Sequence, residues 1–153
     1  MPVLSVLGGT AGVEVIEGIL SLPRQTAGGK PAYPGLFDKA AALFRSLTLD
    51  HPFVDGNKRM AVASTLAFLS LNDWIVAASD DELIDLALSV ASGNVTERID
   101  LKEWFEARSL PYEQVLDAWS RGTIPDMVAN LPGGRRVRRP LLEILVKELG
   151  RRR

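Results

Sequence analysis

The sequence contains no cysteine and only one histidine, His51. The lack of cysteine excludes disulfides and cysteine-ligated metal sites, and it favours a cytoplasmic location. No apolar run approaches the roughly 18 residues that a membrane-spanning helix needs, and the N-terminus lacks the basic start of a signal peptide, so no membrane partner is expected. With 153 residues, of which 46% are hydrophobic and 24% are charged, the chain has the composition of an ordinary soluble domain.

Charge is unevenly distributed along the chain. Residues 135–153 contain eight Lys/Arg and two Asp/Glu, a net charge of +6, whereas residues 1–134 contain ten and seventeen, a net charge of −7. A basic tail of this kind can bind nucleic acid or an acidic partner. No aromatic residue interleaves the arginines, so we favour a solvated terminus and do not expect nucleic acid as a partner. We therefore predict a main domain over 8–120 and a basic C-terminal extension over 121–153.

The hydrophobic pattern predicts an all-α fold. The segment 24–34 is rich in glycine and proline and is predicted to be a loop, and 74–78 is predicted to be a very short strand or an extended link. The segment 57–71 is apolar on most sides, which predicts a central, buried helix. The predicted helices are 13–22, 35–49, 57–71, 81–92, 100–108, 112–120 and 140–149.

Polar residues are concentrated in the loop between the second and third of these helices, which reads His51-Pro52-Phe53-Val54-Asp55-Gly56-Asn57-Lys58-Arg59. Free backbone N–H groups and the positive end of the helix dipole make the start of the following helix a ready anion site. Gly56 lets a ligand approach the backbone closely. Arg59 can bind a phosphate through two hydrogen bonds, and Lys58 adds a point charge.

Three further residues of this loop suggest particular chemistry. Asp55 offers a hard oxygen ligand suited to Mg²⁺ that arrives with phosphates. Histidine readily exchanges a proton near neutral pH, so His51 can accept one from an attacking hydroxyl. Phe53 is most simply an anchor that is buried beneath the loop. Each feature alone is common in loops, but together they favour a magnesium–nucleotide site.

The nine residues resemble the signature of the Fic/Doc family, H-P-F-x-[DE]-G-N-[GK]-R. Tyr33-Pro34 before the second helix and Asn72 after the third resemble the Doc (death-on-curing) branch of that family, and the similarity extends over about 8–105. The resemblance implies a Fic-type helical bundle in which the active-site loop leads into a central buried helix. It also implies Mg²⁺-dependent transfer from ATP to the hydroxyl of a protein target.

Roles for individual residues follow from the resemblance. His51 would be the general base, Asp55 the Mg²⁺ ligand and Phe53 the core anchor. The side chain of Asn57 would contact a phosphate, and Arg59 would neutralise phosphate charge in the transition state. The residues expected to bind the nucleotide phosphates are Gly56, Asn57, Lys58 and Arg59.

Two positions bear on which group is transferred. AMP-transferring members of the family have glycine where this chain has Lys58, and they have a second arginine where it has Val62. The Doc branch shares both features of this chain and resembles a kinase that presents the γ-phosphate to a threonine of elongation factor Tu. We therefore favour phosphoryl transfer, with AMP transfer and a catalytically inactive binding module as the alternatives.

Regulation by a separate protein is also expected. Self-inhibited family members carry a helix with the pattern [ST]-x-x-x-E-[GN], and this chain has only near matches at Thr10 to Glu14 and at Ser109 to Glu113. A glutamate there would lack its arginine partner because position 62 is valine. The resemblance therefore predicts an antitoxin that folds on binding.

Two further expectations concern segments outside the signature. In the family, the region corresponding to 25–33 can form a flap that docks the backbone of the target, although a flexible connector is an equally good interpretation. The tail helix 140–149 is expected to cover apolar surface, either within the chain or on a second copy in a homo-oligomer.

Overall fold

A computed structural model describes residues 10–53, 55–95, 97–132 and 138–151. Within these residues the fold is helical, with two small antiparallel sheets, which confirms the all-α prediction. The helices are α1 (Thr10–Ser21), α2 (Leu36–Leu49), α3 (Asn57–Leu71), α4 (Asp80–Ala91), α5 (Arg98–Arg108), α6 (Tyr112–Arg121), α7 (Ile124–Ala129) and α8 (Arg138–Arg151). The strands are β1 (Thr26–Ala27), β2 (Lys30–Pro31), β3 (Trp74–Val76) and β4 (Ser109–Pro111), and a short 3₁₀ helix covers Leu22–Arg24.

Several short elements were absent from the sequence prediction. The predicted loop 24–34 contains the β1–β2 hairpin, whose turn is formed by Gly28 and Gly29, both with positive φ. A two-residue turn in which both residues have positive φ suits glycine and matches the twist of the paired strands. Strand β4 and helix α7 were also missed, whereas β3 confirms the short strand predicted within 74–78.

The first hydrophobic core is built around α2, whose inner face packs against α3, α4 and α5. Phe44 of α2 is fully buried and meets Phe105 of α5 edge to face, with the ring centroids 5.4 Å apart. Phe37 meets Trp74 in the same way at 5.1 Å. Such aromatic pairs add to the stabilisation that comes from burial alone, so α2 is the element that fixes the positions of its neighbours.

Strand β3 separates this core from a second one. Trp74, Val76 and Ala78 contact the first core, whereas Ile75 and Ala77 belong to the second, as the two-residue period of an extended chain requires. The second core is completed by β4, α6, α7 and the inner face of α8. The division of the chain between 120 and 121 remains a prediction, although α6 shares its core with the helices that follow it.

Helix α8 packs within the chain. Its side chains at Leu142, Ile144 and Leu149 lie against the second core, and Arg151 donates a hydrogen bond from Nη2 to Ser70 Oγ at 2.9 Å. The predicted linker at 132–134 and the arginines at 135–136 fall largely outside the described residues. No helix among the described residues is both long and apolar enough to cross a membrane.

Helix α3 is buried along one stripe, so it is less completely buried than its apolar sequence suggests. Ala61, Thr65 and Leu69 form its buried face, but Ala63, Ala67 and Leu71 on other faces are exposed. The sequence overstates the burial because alanine is compatible with both environments, so a helix with several alanines looks apolar all round when only one stripe is covered. The open face of α3 lies beside α4, where it forms one wall of the cavity described next.

Candidate active site

The loop between α2 and α3 has an exposed side chain at its start and buried ones behind it. His51 is exposed, whereas Pro52 and Phe53 are buried. His51 has φ = +46°, in the left-handed region that few residues other than glycine adopt. Such conformations persist where the surrounding structure enforces them, and they are frequent at functional sites.

A pair of reciprocal hydrogen bonds fixes the shape of this loop. The backbone N–H of Phe53 donates to Asn57 Oδ1 at 3.0 Å, and Asn57 Nδ2 donates to the carbonyl oxygen of Phe53, also at 3.0 Å. Both polar atoms of the Asn57 side chain are therefore engaged by the backbone of the loop. The phosphate contact expected for this side chain remains a prediction, while a role in bracing the loop, which sequence reasoning missed, is directly visible.

Helix α3 begins at an N-terminus that no described side chain caps. Its N-cap residue is Gly56 with φ = +82°, a conformation that suits glycine, and the carbonyl of Gly56 accepts the first helical hydrogen bond from Met60 N–H at 2.9 Å. Helix α4 differs, because Ser79 and Glu82 form a complete capping box. Helices α2, α5, α6 and α7 also lack a side-chain cap, but the start of α3 lines the cavity described below, where its backbone N–H groups could meet an anionic ligand.

Asp55 lies in front of this helix end. Its Oδ1 accepts a hydrogen bond from the N–H of Gly56 at 2.7 Å, and its Oδ2 accepts one from Arg59 Nη2 at 3.3 Å. The side chains of Asp55 and Arg59 are 90% and 71% exposed, respectively. An ion pair so open to solvent contributes little stability and can be rearranged easily.

The residues present fit Mg²⁺ of the kind that is shared with a substrate. No group of three or more histidines or carboxylates that could hold a metal occurs in the described part of the chain. A purely protein-built metal cage is therefore absent from these residues. Mg²⁺ in nucleotide sites commonly takes only one or two carboxylates and completes its shell with water and phosphate oxygens. Asp55, which is exposed and lines the cavity beside the loop, is a suitable single ligand.

A cavity of about 810 Å³ opens between α3 and α4 next to the loop. Its loop end is polar, and its floor along the two helices is apolar, which matches a ligand with a charged end and a flat apolar end. Neither Glu14 nor Glu113, the glutamates of the near-match inhibitory patterns, is among the described residues that line it. The lining residues are His51, Asp55, Gly56, Asn57, Lys58, Arg59, Val62, Ala63, Leu66, Asp80, Leu83, Ile84 and Ala87.

The predicted polar residues of the loop thus lie together on one cavity, and Phe53 is buried as expected of an anchor. The contribution of α4 was missed. Asp80, at the start of this helix, lines the cavity but was not among the predicted site residues. Leu83 and Ala87 of α4 are buried and Ile84 is exposed. An ordinary amphipathic helix has the same pattern of apolar residues, so the sequence does not show that this helix forms a cavity wall.

Fold and site together define an all-α protein with a polar loop at the mouth of a cavity between two helices. Residues 8–69 match the family model described as Fic/DOC family. Over 87 residues the chain is 40% identical to a protein named Toxin Doc from Mycolicibacterium smegmatis. The alignment covers 57% of this chain, and the chain spans 65% of the length of that relative. No solved structure gives a significant match.

Proposed function

We propose that this protein is a Doc-like toxin that transfers a phosphoryl group from ATP to a serine or threonine hydroxyl of a protein target. The observation that carries the proposal is the juxtaposition of His51, Asp55 and the uncapped start of α3 on one cavity. The 40% identity to a protein named Toxin Doc supports the same assignment.

In this proposal, each residue of the loop has a distinct task. His51 accepts the proton of the target hydroxyl as that hydroxyl attacks the phosphate. The N–H groups at the start of α3, with Lys58 and Arg59, bind the phosphates and stabilise the charge that develops on them. Asp55 would hold Mg²⁺, which neutralises phosphate charge when it is bound.

Two side chains favour phosphoryl transfer over AMP transfer. Lys58 is exposed and lines the cavity at the polar end, where its bulk and charge alter the path that a polyphosphate chain can take. Val62 lines the same cavity one turn further along α3 and offers no charge to bind a terminal phosphate. The site therefore lacks, at this position, the second arginine that characterises AMP-transferring relatives.

The target is proposed to dock along the β1–β2 hairpin. Every residue from Thr26 to Pro31 is exposed, so the hairpin offers unpaired backbone to an incoming strand. Tyr33, just beyond the hairpin, is held by the guanidinium of Arg98, 4.8 Å from its ring centroid. Addition of a strand would fix the target backbone while leaving its hydroxyl free to reach His51. By resemblance, elongation factor Tu is the first candidate target.

Control by an antitoxin completes the proposal. Glu14 and Glu113 are exposed and do not line the cavity, so an internal inhibitory glutamate gains no support. A partner segment that folds across the cavity would block it instead. If the purified chain were inactive until Glu14 or Glu113 was replaced, control by a separate protein would be contradicted.

Labelled ATP tests the proposed reaction directly. The purified protein is incubated with a bacterial lysate and with ATP labelled on either the α- or the γ-phosphate. We expect a lysate protein to acquire the γ-label alone. Retention of the α-label would indicate AMP transfer, and absence of both labels would indicate a binding module.

The loop geometry determines which control variant is informative. His51 is in the left-handed region, so His51→Ala combines loss of the base with backbone strain. Asparagine adopts this conformation more readily, and it cannot act as a base. We expect His51→Asn to fold like the wild type and to lose labelling by about 100-fold or more, the range typical of a lost general base.

A further inference from the structure

The carboxylate of Asp55 accepts hydrogen bonds from the same donors that the proposed function assigns to phosphate binding. One of its oxygens accepts the N–H of Gly56 at 2.7 Å, and the other accepts Arg59 Nη2 at 3.3 Å. Two hydrogen bonds to one negatively charged group, from a helix N-terminus and from an arginine, are the contacts that a bound phosphate would make. Asp55 therefore stands where an anionic ligand is expected.

A second exposed ion pair at the same spacing provides a comparison for the pair formed by Asp55 and Arg59. Asp117 and Arg121 of α6 are also four residues apart and also exposed, with a separation of 3.0 Å between Oδ1 and Nε. That pair lies inside a helix and involves side chains only. In the pair of Asp55 and Arg59, by contrast, the carboxylate also accepts a hydrogen bond from the backbone N–H of Gly56, the N-cap residue of α3.

Asp55 is held loosely enough to be displaced. Its side chain is 90% exposed, so it can rotate into solvent without disturbing any packing. A free phosphate must break both hydrogen bonds and also approach a negative carboxylate. A divalent cation on that carboxylate removes the repulsion and weakens the hold of Asp55 on Gly56 and Arg59.

We propose that Asp55 competes with anionic ligands for the anion site and that a divalent cation, by binding Asp55, draws it away from that site. This inference rests on the proposed function. The site thereby selects polyphosphate that is complexed with a cation over free phosphate anions. Asp55 has two tasks in sequence: it excludes free anions, and it becomes the ligand of the cation that accompanies the nucleotide.

Binding measurements without turnover test this proposal. The affinity for ATP is measured by calorimetry in EDTA and in Mg²⁺, for the wild type and for Asp55→Ala. We expect Asp55→Ala to bind ATP in EDTA about threefold to tenfold more tightly than the wild type, as the loss of one or two exposed competing bonds implies. We expect Mg²⁺ to strengthen binding by the wild type and to have little effect on the variant.

A matched variant separates competition from simple loss of charge. Asp80 lines the same cavity, but no hydrogen bond or ion pair to the loop is found for it among the described residues. Asp80→Ala therefore measures the effect of removing one negative charge. If Asp55→Ala and Asp80→Ala strengthened binding in EDTA equally, the internal competitor would be disproved while the proposed function stood. If the wild type failed to bind ATP even with Mg²⁺, the proposed function itself would fail and this inference with it.

A second readout uses the cation alone. In the wild type, the amide resonance of Gly56 is expected to shift when Mg²⁺ is added without nucleotide, because its hydrogen bond to Asp55 weakens. Circular dichroism confirms that each variant is folded. An amide resonance that is unchanged by Mg²⁺, at concentrations that strengthen ATP binding, would overturn the proposal.

Discussion

Asn57 illustrates how a single side chain can position a site. Its amide forms two hydrogen bonds to the backbone of Phe53 and so joins the buried part of the loop to the first residue of α3. The nitrogen and oxygen of the amide are both required, because one bond needs a donor and the other an acceptor. This makes Asn57 intolerant of substitution even by a side chain of the same shape.

We predict that Asn57→Asp loses activity through the shape of the loop. Aspartate keeps an acceptor for the N–H of Phe53 but faces the carbonyl of Phe53 with a second oxygen. The free energy of unfolding should fall by about 1–2 kcal/mol, the usual cost of a lost hydrogen bond with an unsatisfied partner. Chemical denaturation and the labelled-ATP reaction measure the two effects.

Asn72→Asp is the matched control for this prediction. Asn72 also donates its side-chain amide to a carbonyl four residues earlier, that of Phe68, at 2.8 Å, but it lies at the far end of α3. We expect a comparable loss of stability with transfer activity retained. Equal activity in the two variants would contradict the role assigned to Asn57.

At the scale of elements, α4 forms the cavity wall opposite α3, and its N-terminus is fixed by its capping box. Ser79 Oγ accepts the N–H of Glu82 at 3.3 Å, and a carboxylate oxygen of Glu82 accepts the N–H of Ser79 at 2.9 Å. Arg108 Nε, 3.6 Å from the other oxygen of Glu82, adds an ion pair from the end of α5. The start of α4 is thereby tied to the end of α5.

Ser79→Ala is predicted to destabilise the protein by about 1 kcal/mol, as replacement of an N-cap serine generally does. Because α4 lines the cavity, the affinity for ATP should fall as well. Ser120→Ala removes an exposed serine whose hydroxyl bonds only within α6, and it should leave both quantities nearly unchanged. Thermal melts and calorimetry compare the two variants. If both substitutions changed the affinity for ATP equally, the idea that the N-cap of α4 supports the binding site would be contradicted.

The elements also show what sequence can and cannot predict. The long helices were predicted because their apolar residues recur at helical spacing. Strand β4 was missed because it exists only through pairing with β3, more than thirty residues earlier. The loop residues were found because polar and charged side chains are concentrated in nine consecutive positions. The opposite wall of the cavity was not predicted, because only tertiary packing brings α4 beside the loop.

For the whole molecule, the two cores meet at β3, and α8 covers part of the second. Leu142 of α8 is partly buried against this core, whereas Val146, one turn later, is 60% exposed. The C-terminal extension is therefore expected to stabilise the fold as a packed helix. This supports the interpretation in which the tail covers apolar surface of its own chain.

Leu142→Ala is predicted to lower the free energy of unfolding by about 1–3 kcal/mol, because it removes buried apolar surface and leaves a gap. Val146→Ala, at an exposed position one turn later in the same helix, should change it by less than about 0.5 kcal/mol. Denaturant titration gives both values. If the two variants were equally stable, α8 would not pack on the second core as described.

The identity of the group left on the target tests the central claim most directly. After incubation of the protein with ATP, Mg²⁺ and a bacterial lysate, mass spectrometry identifies the modified protein, the modified residue and the mass added. We predict a single phosphate on a serine or threonine, formed by the wild type and absent with His51→Asn. An AMP adduct, or a phosphate that forms equally well with His51→Asn, would contradict the account.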